Sequence, residues 1–114
     1  MSLDNFLTRL REEPEAIDFE DTIAVIEANY NFAPTAFRNG SVSNAAGENN
    51  GSCKILSFAQ LNQLDADQTL ACFGRYYRDD VLKHPDGSDH GNIRNFLENG
   101  WIGVEFDGTP LVAN

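Results

Sequence analysis

Residues 35–54 read TAFRNGSVSNAAGENNGSCK, and they divide into three pieces that set the architecture. Asn39-Gly40 is a dipeptide favoured in two-residue hairpin turns because both residues tolerate positive φ, so it predicts a hairpin with Arg38 opposite Ser41 and Phe37 opposite Val42. Phe37 and Val42 then share its buried face. Ser43 to Ser52 holds Asn44, Gly47, Asn49, Asn50 and Gly51 and almost nothing apolar, which predicts a turn-rich surface loop. Ser52 is placed to cap a helix running to about Gln63, on which Ile55, Leu56, Phe58, Ala59 and Leu61 surround the axis. A helix apolar all round is usually a buried one.

Working outward, Ser2 caps a first helix whose Leu3, Phe6, Leu7 and Leu10 form one apolar stripe ending before Pro14. Asp18 caps a second, with Phe19, Ile23, Ile26 and Tyr30 in a narrow arc, which Asn31 to Pro34 stops. On the C-terminal side, Asp65 with Gln68 has the form of a capping box and opens a fourth helix carrying Leu70, Phe73, Tyr77 and Val81. Cys72 and Tyr76 lie on its far side, so either that helix packs on both faces or Tyr76 looks into a pocket. His84-Pro85-Asp86-Gly87 suits a type I turn. Ser88 or Asp89 caps a fifth helix with Ile93, Phe96 and Leu97 inward, and Gly100 ends it. Trp101 to Phe106 alternates as a strand does, with Ile102, Val104 and Phe106 on one side, and it can add to the hairpin. The fold class expected is α+β: mostly helical, about five helices, with a small antiparallel sheet, in a single domain over residues 1–114.

The 114 residues can bury roughly two-thirds of their unfolded surface, and eight phenylalanines are available to anchor a core. The formal charge of −10 is uneven: residues 1–37 carry eight acids and two bases, residues 38–94 seven acids and six bases, and residues 95–114 three acids. Nucleic-acid or anionic-membrane binding needs clustered Lys and Arg, so neither is expected. An acidic nucleic-acid mimic ranks last, because the acids form no phosphate-like array. No apolar run reaches the length of a membrane span, and the first residues lack the pattern of a secretory signal. Cys53 and Cys72 are therefore expected to be reduced thiols.

Several groupings carry potential chemistry beside a plain structural role. Gly47 to Lys54 offers backbone N–H groups at a helix start beside a lysine, enough for a small anion, but lacks the spacing and the adjacent hydroxyl of a nucleotide loop. Cys53, in a first helical turn beside Lys54, has two features that lower a thiol pKa, with His90 or His84 available as a base; the structural alternative is a small core residue. Asp79, Asp80, His84, Asp86, Asp89 and His90 supply enough donors for a divalent metal, with His84, His90 and Asp86 the metal candidates, but each also fits a turn or a helix start. Arg38, Arg75, Arg78 and Arg94 can clamp carboxylates or stack on Tyr76 and Tyr77, or simply form surface ion pairs. No cofactor is expected.

The runs TAFRNG (35–40), NAAGENNGSCK (44–54), QTLACFGRYYRDDVLKHPDG (68–87) and DHGNIRNFLENGW (89–101) together resemble the HopJ type III effector protein family. The resemblance implies a bacterial protein, in the bacterial cytoplasm or passed by a type III apparatus into a host cell; it implies no reaction, ligand or cofactor. Two functions from different classes follow. One is a non-enzymatic effector-like domain that binds a host or bacterial protein. The other is a small-molecule, anion-binding or enzymatic pocket built from Arg38, Asn39, Asn44, Asn50, Ser52, Lys54 and Tyr76, with Cys53 and His90 as catalytic candidates. Convergence of Arg38, Cys53, Tyr76 and His90 on one cavity would favour the pocket. Oligomeric state is left open.

Overall fold

A computed structural model describes residues 2–114. The helices are α1 (Leu3–Glu12), α2 (Phe19–Asn29), α3 (Asn50–Leu61), α4 (Ala66–Ala71) and α5 (Gly91–Asn99), with a π-helix at Tyr76–Val81 and 3₁₀ turns at Pro14–Ala16 and Gly100–Gly103. The strands are β1 (Tyr30–Phe32), β2 (Phe37–Asn39), β3 (Val42–Asn44), β4 (Val104–Phe106) and β5 (Leu111–Ala113). The α+β class holds, and β4 does join the hairpin: one sheet runs β3-β2-β4 and a second pairs β1 with β5, all antiparallel.

α3 is the central element. Cys53, Ile55, Leu56, Ser57, Phe58 and Ala59 are all buried on it, as an apolar helix requires, although Leu61 stays 54% exposed. Phe6 of α1 and Tyr30 of β1 both set ring edges against Phe58. The capping expected of Ser2, Asp18 and Asp65 is present, with complete capping boxes at Asp18 and Asp65. Gly87 N–H donates to His84 O, closing the predicted turn.

Leu97 of α5 is 45% exposed rather than inward with Ile93 and Phe96, and five further details differ from the sequence expectation. The hairpin pairs Phe37 with Asn44 and Asn39 with Val42, so its two-residue connection is Gly40-Ser41 and only Gly40 has positive φ (61°). A glycine in the first central position meets the need of a II′ turn, and Asn39 stays in the strand. The fourth helix breaks after Ala71, because Gly74 takes φ 60° where α2 docks; a Cβ there would run into Asp18 Oδ1 and stand 2.5 Å from Phe19 N. The chain resumes as the π-helix. Tyr30 leaves α2 to open β1, whose partner β5 carried no sequence signal. Trp101 to Gly103 is a 3₁₀ turn and leaves Ile102 96% exposed rather than inward. Finally, neither Ser52 nor Ser88 or Asp89 caps its helix; Asn49 and His90 stand at those positions.

Candidate functional site

That last correction builds the site. Asn49 (φ 51°, ψ 47°) and His90 (φ 50°, ψ 50°) both enter their helices from the left-handed region, and neither side chain caps the turn it opens. Left-handed backbone is uncommon outside glycine, and these are two of only three such residues among those described. The first N–H groups bonded back along the chain are those of Cys53, to Asn49 O at 3.0 Å, and Arg94, to His90 O at 3.0 Å. The N–H groups of Asn50, Gly51 and Ser52, and of Gly91, Asn92 and Ile93, have no acceptor among the described residues. Each start therefore keeps the partial positive charge of an open helix N-terminus.

The two starts border one cleft of about 360 Å³. Gly51 and Ser52 form one rim, Gly91, Asn92 and Ile93 the other, with Phe19, Phe73, Tyr76 and Val42 as apolar walls. Glycine at each rim keeps the backbone bare: a Cβ on Gly51 would press on Phe19 Cζ at 3.0 Å, whereas one on Gly91 would meet only Val42 Cγ2 at 3.7 Å. Tyr76 stacks on the His90 ring with centroids 5.3 Å apart, and Phe19 sets its edge to Tyr76 at 5.1 Å. His90 Nε2 lies 3.0 Å from Asp80 Oδ2. A carboxylate only accepts, which assigns the proton to Nε2. Among the described residues, no Lys or Arg lines the cleft.

Beneath the rim lies a set of carboxamides. Asn44 and Asn92, both buried, exchange two hydrogen bonds: Asn92 Nδ2 donates to Asn44 Oδ1 at 3.0 Å and Asn44 Nδ2 to Asn92 Oδ1 at 3.2 Å. Asn44 Oδ1 also accepts from Asn49 Nδ2 at 2.7 Å. Asn39 Nδ2 donates to Asn92 O at 2.7 Å and to Asn92 Oδ1 at 3.1 Å, while Asn39 Oδ1 is buried without a partner among the described residues.

Of the residues singled out from sequence, Ser52, Tyr76 and His90 reach the cleft, and Asn39 and Asn44 stand behind its rim. Asn50 opens α3 but its exposed side chain lies outside the cleft. The four residues whose convergence was to favour a pocket do not all meet, since only Tyr76 and His90 line the cleft: Arg38 lies on the outer face of β2, paired with Glu105 at 2.7 Å and Asp107 at 3.6 Å. Lys54 turns away to Glu27 at 3.6 Å and covers the Phe32 ring at 5.0 Å. Cys53 is buried with Sγ 3.6 Å from Thr35 O, and burial raises its thiol pKa, against the lowering expected of a first-turn thiol beside a lysine. Cys72 is pushed up to about 12 by burial. Neither is an activated thiolate.

His84 and Asp86 are exposed, and no group of three or more His, Cys, Asp or Glu able to hold a metal occurs among the described residues. The arginines are structural: Arg75 clamps Asp18 and Glu20, Arg78 donates to Ile17 O, and Arg94 ties Asp80 O, His84 O and Asp89 together. His90 beside Asp80 has the residue types of two members of a hydrolytic triad, but no hydrogen bond joins Ser52 to His90, so no triad is assembled. Phe19, Val42, Asn49, Gly51, Gly91 and Asn92 were not foreseen; Asn-Asn-Gly running into the apolar α3 and Asp-His-Gly running into the amphipathic α5 are the signal they left in the sequence.

Over residues 3–111 the chain matches the family model described as HopJ type III effector protein. It is also similar to VPA0580, a protein of unknown function with a crystal structure: 57% identity, a TM-score of 0.99, and coverage of 100% of this chain and 95% of that one. No curated protein matches it.

Proposed function

This chain belongs to the HopJ type III effector protein family, and on that premise we propose that it is a binding domain whose cleft takes a small organic carboxylate. The carrying observation is that two helix starts with uncapped N–H groups border one apolar-walled cleft. The carboxylate lies between Gly51-Ser52 and Gly91-Asn92; the organic body lies against Phe19 and Tyr76. A volume of about 360 Å³ falls at the lower end of the roughly 300–1,000 Å³ typical of ligand pockets. Phosphate is disfavoured, because a dianion meets only neutral donors here, with Asp80 and Asp89 3.0 and 3.8 Å from His90. Titrating the ¹⁵N-labelled chain with benzoate tests this: saturable shifts at Gly51, Ser52, Asn92 and Ile93 together, weaker with inorganic phosphate, are expected. Shifts at neither start would overturn it.

A second function takes its lead from the family's description as a type III effector: we infer passage through a type III apparatus, and add to it, as our own reading, action by binding a host or bacterial protein. A translocation reporter fused to the chain, compared in bacteria with and without a working apparatus, tests it. Equal signal in both would remove it.

A further inference from the structure

We propose that Asn44 is the positioning residue of the cleft, a buried carboxamide that fixes the start of α3 against the start of α5. The inference rests on the carboxylate-site reading above for its functional consequence, but its geometry stands apart from it. Asn44 Oδ1 accepts from Asn49 Nδ2 at 2.7 Å, and Asn49 is the residue from which α3 springs. The same oxygen accepts from Asn92 Nδ2 at 3.0 Å, and Asn92 is in the first turn of α5. One atom thus binds both rims. It is itself fixed from the sheet, since Asn44 is the last residue of β3 and its Nδ2 donates to Phe37 O at 3.3 Å across the hairpin.

Close packing alone does not ask for this arrangement. Three buried asparagines stand where the hairpin meets α5, one with an orphaned oxygen, and an unpaired buried acceptor is a cost that apolar residues of similar shape would avoid. What carboxamides supply is direction and distance between two backbone ends that must present N–H groups to one ligand. A ligand bridging two helix starts is sensitive to their separation, so loosening one rim weakens binding without removing any group that touches the ligand.

Asn49→Gly is the clean variant. Glycine adopts φ near 50° without strain, serves as an N-cap at little loss, and deletes one side-chain hydrogen bond, that to Asn44 Oδ1, together with the Asn49 side chain at the cleft edge. Its exchange readout therefore bears on the rim, and Asn44→Ala, outside the lining, bears on affinity. Asn44→Ala cuts both branches at a buried site and is the second variant. Amide hydrogen exchange at Cys53 and Arg94, the first N–H of each helix bonded back along the chain, reads the two rims, and Thr69 in α4, bonded to Asp65 O, is the reference. Exchange at Cys53 should quicken alone in Asn49→Gly and at Cys53 and Arg94 together in Asn44→Ala, with Thr69 unchanged. Benzoate affinity should fall about tenfold in Asn44→Ala and less in Asn49→Gly. Unchanged exchange at Cys53 in Asn49→Gly overturns the proposal, as does wild-type benzoate affinity in both variants. If the wild-type chain binds no benzoate, it is the carboxylate reading that fails, and the exchange pattern alone decides the positioning role.

Discussion

Ser52 is the third residue of α3, where an acidic side chain would face the same N–H groups that are offered to the ligand. Stability and binding should therefore move in opposite directions in Ser52→Asp. A first-turn carboxylate at an uncapped start is expected to stabilise the fold by about 0.3–1 kcal/mol, read as a higher urea midpoint. The same charge occupies the rim and repels an anion, so benzoate shifts at Gly51 and Asn92 should disappear. A variant that gains stability and still binds benzoate would place the ligand elsewhere. At this scale the sequence was legible where chemistry is local: Ser2, Asp18 and Asp65 cap as their spacing says. It misled where two roles compete for one residue type. Ser52 has the composition of a cap, yet Asn49, which tolerates left-handed backbone, starts the helix earlier, and of the two readings of Cys53 the small core residue is the one the packing takes.

The start of α2 shows how one element is anchored by another. Asp18 Oδ1 accepts from Arg75 N at 3.1 Å, and the Arg75 guanidinium reaches Asp18 Oδ2 at 2.7 Å, with Gly74 allowing the approach. These contacts, the Arg75 backbone hydrogen bond first among them, lower the Asp18 pKa below its ordinary value near 3.8. A carboxylate whose folded pKa is depressed adds stability above its unfolded value and loses it as pH falls through the folded value. Acid should thus detach α2 from the 74–75 corner. An asparagine side chain can still cap the helix, so Asp18→Asn should cost about 1 kcal/mol or less at neutral pH, the pair being solvent-exposed. Urea midpoints followed downward through pH 3.8 should fall less steeply in Asp18→Asn than in wild type; parallel curves would mean that Asp18 contributes nothing to acid sensitivity.

Elements with a strong period, α1, α3 and α5, were predicted within a few residues. Those set by tertiary contact were not. The break after Ala71 follows from Gly74 meeting α2, the β1-β5 pair joins segments about eighty residues apart in sequence, and the alternation of Trp101 to Phe106 hid a 3₁₀ turn that leaves Ile102 in solvent.

At the scale of the whole molecule, the charge of −10 is spread over a body of 35 × 31 × 21 Å. A negative chain that binds an anion without a Lys or Arg in the cleft should show an unusual salt dependence. At an ionic strength of 0.01 M the screening length is about 30 Å, so a ligand in the cleft feels nearly every charge on the protein; at 0.15 M it is about 8 Å, and only near neighbours such as Asp80 and Asp89 still act. The helix-start N–H groups touch the ligand directly and are screened least. Raising ionic strength between those limits should therefore tighten benzoate binding, measured by the concentration that half-saturates the Gly51 and Asn92 shifts. A site that relied on clustered bases would weaken instead. Weakening here would mean that a cation such as Lys54 swings from Glu27 to the ligand, or that chloride competes at the helix starts; repeating the titration with sodium fluoride and with Lys54→Gln separates the two. Tightening would fix the source of affinity as the neutral backbone, the reason an acidic protein can accept a carboxylate.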